Sequence, residues 1–375
     1  MGFSLDEHLS YVGDATRLDL YKTAIAKTVA PRDAVADLGC GSGILGLMCL
    51  QAGAGHVYAV DDSAMINIAR ESMMRAGQVD HATFIRGKSS QIELPERVDV
   101  VICDHVGYFG FDYGVVGFFE DARRRFLKPG GTLIPSRIRL NVAAAGSQKC
   151  SAVANGWQAE QIPPEFQWLN SYSINSKHAV MLMPDDVIGP PVVLGDIDLY
   201  AENPEFFSWS AELPIEREAA MHGLAGWFEC ELAEDVWMTN SPLAEKPIQR
   251  PRAFLPIGEA VSVKAGDIVK VTIMARPVDH LIAWTVEFLT TGQRFTHSTW
   301  QGFPFAPEDL NRTNPTHTPQ LGRTGRARVT VLNYCDGQRT AQEIERAVLS
   351  DHPDLFPSPG EISRFVTSVL GRDSE

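Results

Sequence analysis

The chain has 375 residues, 44% hydrophobic and 21% charged, with 33 basic against 47 acidic side chains and a formal charge of −14. That length suits two to three domains of roughly 150 residues, each able to bury a core without a metal or disulfide staple. The acidic balance argues against a nucleic-acid partner. No apolar run reaches the ~18 residues of a membrane span, and the stretch Met1–Glu7 lacks the basic and apolar blocks of a signal peptide. Six scattered cysteines without a CxxC pair point to a cytoplasmic, metal-free protein with no membrane association.

From residue 34 the chain alternates short apolar runs with helical periods. Strands are predicted at 34–38, 56–60, 82–85, 98–103 and 131–134, with helices at 44–51, 65–76 and 118–127. Strands separated by single helices predict a parallel sheet covered on both faces, an α/β class fold. After residue 138 the rhythm changes. Segments 139–143, 206–211, 223–231, 268–274, 282–288 and 294–300 read as strands with few helices between them, which predicts an antiparallel barrel or sandwich. The stretch 151–190, with Trp157, Phe166, Trp168 and Leu169, reads as an insertion or docking arm. Residues 306–328 are rich in Pro, Thr, Arg and Asn and read as a linker. In the remaining 329–375, a strand is expected over 329–334. Thr340 and Glu343 form a capping box before a helix, and a last helix opens at Pro359. The domain boundaries predicted are therefore 1–138, 139–305, the linker 306–328 and a small α+β module over 329–375.

The run Asp37-Leu38-Gly39-Cys40-Gly41-Ser42-Gly43 follows a strand and opens a helix. Its glycines allow a tight turn and close approach of backbone to a ligand. No Lys-Ser/Thr pair follows Gly43, so this is not a phosphate-cradling loop. Asp61 ends the next strand, where a carboxylate can hold a ribose diol. Asp61 and Asp62 can equally cap the helix that follows, with Ser63 as a competitor.

At these residues the chain resembles the protein arginine methyltransferases, class I enzymes that use S-adenosylmethionine. Asp37 to Leu45, Val60-Asp61-Asp62-Ser63, Arg86-Gly87-Lys88, Glu93-Leu94-Pro95, Val98 to Ile102, Leu127 to Gly131 and Ile134-Pro135 fall in register with its motifs. Upstream, Arg17 stands four residues before Tyr21, and His8 nine before Arg17, as the family's cofactor-contacting arginine and histidine do. The likeness extends over roughly residues 5–300, where 261–267 and 275–277 are similar to the family's barrel. It implies a Rossmann-like domain with an N-terminal helical segment, then a barrel. It also implies a set of S-adenosylmethionine ligands: His8, Arg17 on the methionyl carboxylate, Asp37, Gly39, Gly41, Gly43, Asp61 and Asp62 near the ribose, Ser89 and Ser90 at the adenine, and Asp104. The family's acidic residue is absent at Ser90. S-adenosylhomocysteine would be the product, and the arm would make a homodimer.

The family clamps its substrate guanidinium with two glutamates after the fourth strand. Here Asp104 stands at the first and Tyr113 at the second, with Asp112 displaced by one. The family's Thr-His-Trp loop corresponds to Ile248-Gln249-Arg250, so that loop reads as absent, and His297 in Thr296–Trp300 reads as structural. The donor half therefore looks intact and the clamp dismantled. Asp104, His105, Asp112 and Tyr113 are the candidate catalytic residues. Asp104 or Asp112 would orient or deprotonate a cationic amine and His105 would serve as general base. The competing reading has Asp104 bonding Arg17 and His105 simply packing. Residues 332–344 resemble the PqqD-type modules that recognise leader peptides of ribosomally made natural products, often by strand addition. The expectation is a methyltransferase acting on a nitrogen of a peptide or small amine, in the context of peptide natural-product biosynthesis. The rivals are an arginine methyltransferase clamping with Asp104 and Asp112, and a catalytically silent peptide-recognition protein.

Overall fold

A computed structural model describes residues 5–356 and 358–373. Two helices, α1 (Leu5–Gly13) and α2 (Ala15–Thr28), lead in. Asp14 caps α2 by accepting from the Arg17 amide, and α2 buries Arg17, Tyr21, Ala24 and Ile25. A parallel sheet follows, built from β1 (Ala34–Leu38), β2 (His56–Asp61), β3 (Ala82–Arg86), β4 (Val98–Ile102) and β5 (Leu127–Ile134), in the order β3-β2-β1-β4-β5. The helices α3 (Ile44–Gln51), α4 (Met65–Arg75) and α5 (Val115–Arg125) connect its strands. β1 is buried along its whole length, as expected of a central parallel strand with helices on both faces. The strand order reverses direction between β1 and β4. In such sheets ligands bind beyond the carboxyl ends of the strands at that point. Asp37 lies near the end of β1, Asp61 ends β2, and Asp104 follows β4, so three carboxylates meet there.

The second half is antiparallel. One sheet holds β6 (Arg137–Ala145), β7 (His178–Val180), β8 (Val192–Asp198), β10 (Ala219–Ala233), β11 (Val236–Thr239) and β12 (Arg252–Val263). The other runs β15-β14-β13-β9, with β9 (Phe207–Pro214), β13 (Ile268–Arg276), β14 (Leu281–Phe288) and β15 (Arg294–Ser298). β8 meets β9 and β12 meets β15, so the sheets close on one another as a barrel. Alternate residues of β14 are buried, the period expected of a sheet with one wet face. Trp227, Phe228, Phe254 and Trp284 are almost fully buried, each contributing about 1.5–3 kcal/mol or more by burial. β12, twelve residues long, was seen in the sequence only at its end, 261–263, through the resemblance, because Pro256 and Gly258 break its alternation. The arm carries α6 (Gln148–Ala154) and α7 (Asn170–Ser173), and Trp157, Phe166 and Trp168 stand exposed on it.

Residues 305–375 form a separate compact unit. It differs from expectation. The stretch read as a linker contains α8 (Pro307–Thr313), and the described residues beyond it form three helices: α9 (Arg323–Asn333), α10 (Ala341–Asp351) and α11 (Pro359–Asp373). No strand occurs among them. The β-branched run Val329–Leu332 looked like a strand, but Ala327 and Val331, four apart, bury on one helix face against Ile344, Val348, Ile362 and Val366. Packing decided against local propensity. With no strand there, peptide recognition by strand addition to this unit has no sheet edge to use. The capping box is present: Thr340 Oγ1 accepts from the Glu343 amide at 3.3 Å, and Glu343 accepts from the Thr340 amide at 2.8 Å. Among the described residues, no helix is long and apolar enough to cross a membrane.

Candidate active site

The glycine turn makes the floor of the site. Gly39 and Gly41 hold φ of +66° and +52°, which L side chains rarely adopt. A Cβ on Gly39 would lie 2.2 Å from His105 Nε2, and one on Gly41 would lie 2.9 Å from His8 Cε1. Both imidazoles therefore face the turn, His8 from α1 and His105 from the loop after β4. The Cys40 amide donates to Val60 O at 3.0 Å, which ties the turn to β2. Asp61 Oδ2 accepts from the Gly41 amide at 2.9 Å, and Oδ1 accepts from the amide and hydroxyl of Ser63 at 2.9 and 2.6 Å. Ser63 Oγ in turn accepts from the Met65 amide at 3.1 Å. Both readings of Asp61 thus meet in one residue: it braces the helix entry through Ser63, and it stays half-buried at the lip of the turn. Asp62 is exposed. Ser89 is buried, while Ser90 is exposed.

Asp37 accepts from the Gly46 amide at 2.8 Å and is 1% exposed. Burial pushes its carboxyl up to about 7, with Asp61 adding to the rise.

Asp104 is the hub of the acceptor side. Arg17 Nε donates to its Oδ2 at 2.6 Å and Arg250 Nη2 to the same oxygen at 2.9 Å. Arg250 Nη1 also donates to Gly107 O at 3.2 Å. Although burial opposes it, the two guanidinia hold the Asp104 carboxyl well below the usual range. The Tyr11 ring lies 5.7 Å from the Arg17 guanidinium and 5.4 Å from that of Arg250, a cation–π arrangement with both. Asp14 Oδ2 accepts from the Gln249 amide at 2.7 Å, so the cap of α2 also fixes the segment carrying Arg250.

Asp112 is turned into its own loop. Its Oδ2 accepts from the amides of Tyr108 and Phe109 at 2.8 and 2.5 Å, and its Oδ1 contacts Lys177 Nζ. Lys177 is also 4.5 Å from the Tyr108 ring centroid and 5.7 Å from that of Phe111. Burial pushes the Lys177 ammonium down towards about 7, and the carboxylate beside it opposes the loss of the proton. The segment 105–114 is a chain of turns, and Asp112 within it folds back onto the amides of Tyr108 and Phe109. Tyr113 is exposed. His105 packs edge-on to Phe118 at 5.0 Å, and its ring lies against Gly39. Burial pushes its imidazole below the ordinary value. This is the packing that the competing reading describes. His297 is structural as expected, stacked on Trp284 at 5.4 Å with Nδ1 at 3.2 Å from Asn175 Oδ1.

Two residues of this site escaped the sequence reading. Lys177 lies at the end of the arm with no motif around it. Arg250 was named only as part of the segment 248–250 that stands where the family has Thr-His-Trp, with no role given to it. Its signal was a cation opposite a retained carboxylate. Among the described residues, no group of three His, Cys, Asp or Glu side chains is placed to hold a metal ion.

Residues 35–131 match a family model described as a methyltransferase domain. The chain is 27% identical over 264 residues to protein arginine N-methyltransferase 1 of Schizosaccharomyces pombe, covering 65% of this chain and 74% of that protein. It is 30% identical over 235 residues to the probable protein arginine N-methyltransferase 6 of Arabidopsis thaliana, covering 60% of this chain but 54% of that one, about half its length. Its fold is shared with the Trypanosoma brucei PRMT1 enzyme–prozyme heterotetrameric complex with AdoHcy (TM-score 0.69, 21% identity, 78% of this chain and 96% of that). It is likewise shared with Arabidopsis thaliana protein arginine methyltransferase 10 (TM-score 0.68, 22% identity, 79% and 98%).

Proposed function

We propose that this chain, a protein arginine methyltransferase-like class I enzyme dependent on S-adenosylmethionine, methylates an acceptor other than arginine, carried on a peptide or small molecule. The observation that carries the reading is the meeting of Arg17, Asp61 and the glycine turn at the reversal point of the sheet, beside a carboxylate already occupied by internal cations.

The residues fit the donor. Arg17 spends Nε on Asp104 and Nη1 on Tyr11 O, leaving Nη2 without a protein partner among the described residues. That leaves a charged donor for a carboxylate. The Asp61 oxygens keep lone pairs for ribose hydroxyls, and the glycine turn leaves room that side chains would fill. Asp37, on the floor, gains its negative charge readily when a cation settles above it. When bound, S-adenosylmethionine supplies an electrophilic methyl on a sulfonium. The chain supplies position, since such a displacement needs alignment more than covalent help. Arg17 fixes one end of the donor, and Asp104, held by two arginines, fixes Arg17.

Arginine is disfavoured as acceptor. A guanidinium clamp requires two free carboxylates, and Asp104 and Asp112 are each bound to a cation of this chain. The silent-protein reading has no observation in its favour. Exposed Trp168, beside half-buried Leu169, supports a homodimer through the arm. Calorimetry with S-adenosylmethionine tests the donor site: micromolar binding is expected, and loss of it in Arg17→Met. Absence of wild-type binding at millimolar donor sinks the reading.

A further inference from the structure

We infer that Lys177 is a positioning residue for the donor site: from the end of the arm it fixes, through Asp112 and one peptide plane, the arginine that steadies Asp104. The inference rests on the methyltransferase reading above and deepens it.

Three observations carry it. The first is charge. The Asp112 side chain is 3% exposed, and among the described residues its carboxylate forms one ion pair, with Lys177. His280 Nδ1 lies 3.0 Å from the Asp112 carbonyl oxygen, not from the carboxylate. Taking away the ammonium would leave a carboxylate buried without a counter-charge, which is strongly unfavourable. Asp112 would then turn towards water and release what its other oxygen holds.

The second is what that oxygen holds. Asp112 Oδ2 accepts from the Tyr108 amide at 2.8 Å. The Tyr108 N–H and the Gly107 C=O belong to one peptide group, and the Gly107 oxygen accepts from Arg250 Nη1 at 3.2 Å. A peptide group is planar and turns as a unit. Releasing its N–H therefore frees its C=O to swing away from Arg250. The approach is close, since a Cβ on Gly107 would lie 2.4 Å from the Asp112 Cβ. Arg250 Nη2 donates to Asp104 Oδ2 at 2.9 Å, the oxygen that holds Arg17. An unbroken series of contacts thus joins Lys177 to the arginine that meets the donor.

The third is that Lys177 is itself held. Two residues before it, Asn175 Oδ1 accepts from the Ser298 amide at 3.2 Å and lies 3.2 Å from His297 Nδ1, which ties the segment to β15. The ammonium lies 4.5 Å from the Tyr108 ring centroid and 5.7 Å from that of Phe111, a cation–π arrangement with both. A cation fixed at backbone and head can set the place of a loop, which a mobile surface lysine cannot do.

The test uses the full chain near pH 6, where Lys177 keeps its proton although burial pushes its ammonium down towards about 7. Calorimetry with S-adenosylhomocysteine reads the donor site, and fragment-resolved amide exchange reads the amides of Tyr108 and Phe109. Lys177→Met keeps the bulk and removes the charge. It is expected to weaken binding about fivefold or more and to speed exchange at those amides. Adding Asp112→Asn removes the orphaned charge, keeps an acceptor for the amides and is expected to restore most of the affinity. Val286→Ala, in the barrel core and outside this series, should lower the melt and leave affinity within about twofold. In the wild type, saturating S-adenosylhomocysteine should slow exchange at both amides, because coupling between sites is reciprocal. If Lys177→Met does not fold, that wild-type exchange decides. Unchanged affinity in folded Lys177→Met, no recovery in the double variant, an equal loss in Val286→Ala, or wild-type exchange unmoved by the ligand overturns the inference. No binding by the wild type itself would instead overturn the methyltransferase reading.

Discussion

Arg250 reaches across 146 positions of sequence to donate to Asp104 Oδ2 at 2.9 Å, the same oxygen that Arg17 holds at 2.6 Å. One carboxylate thus joins the N-terminal helix, the loop after β4 and the segment before β12. The structure around the donor depends on this ion triad, and several outcomes follow from it.

Asp104→Asn leaves two buried guanidinia sharing a neutral amide. The expected loss is about 3–5 kcal/mol of stability, read by chemical denaturation. The native carboxyl sits below its unfolded value, so its contribution is full above about pH 4 and fades as pH falls through and below that value. The variant should show a flatter acid limb than the wild type. An unchanged acid limb would mean the triad is not formed.

Asp37 has the opposite sign. Its native carboxyl is raised to about 7, so the folded state holds a proton that the unfolded state has lost. Stability should fall as pH rises from near 4 to near 7 and then level off. Asp37→Asn keeps an acceptor for the Gly46 amide and removes the charge. We expect it to be more stable than wild type at pH 8, by roughly 2–4 kcal/mol, and to bind S-adenosylmethionine more weakly. A variant less stable than wild type at pH 8 would contradict the burial account.

Gly39→Ala places a Cβ against His105 at a backbone angle alanine resists, costing about 1–2 kcal/mol from the angle alone. Donor affinity should drop at least tenfold. The double variant with His105→Ala relieves the clash but not the angle, so calorimetry should show partial recovery. Full recovery would show that the turn geometry is unimportant.

Trp168→Glu puts a charge on the exposed arm. If the arm pairs two copies, sedimentation should shift from dimer to monomer while the melt stays within a few degrees. A wild-type monomer at tens of micromolar would dispose of the dimer.

Much of the donor half was readable in advance. β1, α3, β2 and α4 lie within a residue of their expected bounds, because apolar runs of strand length ended by Gly39, Gly53 and Gly77 leave few alternatives. Asp61 reaches the glycine turn from the end of β2, where the strand periodicity put it, whereas Arg17 was picked out only by the resemblance. The acceptor side was not readable that way. Asp104 was legible, but its second guanidinium arrives from 146 residues downstream, and the cation on Asp112 comes from an arm with no motif.

The sequence by itself determined the alternation of elements, the turn and the carboxylates at the strand ends, because these follow from local periodicity and backbone freedom. Only the tertiary structure decided which charges neutralise one another, and whether Val329–Leu332 pairs as a strand or packs as a helix. Both depend on what the rest of the chain brings alongside: a buried charge takes the nearest counter-charge, and an ambiguous apolar run takes the packing that buries it best.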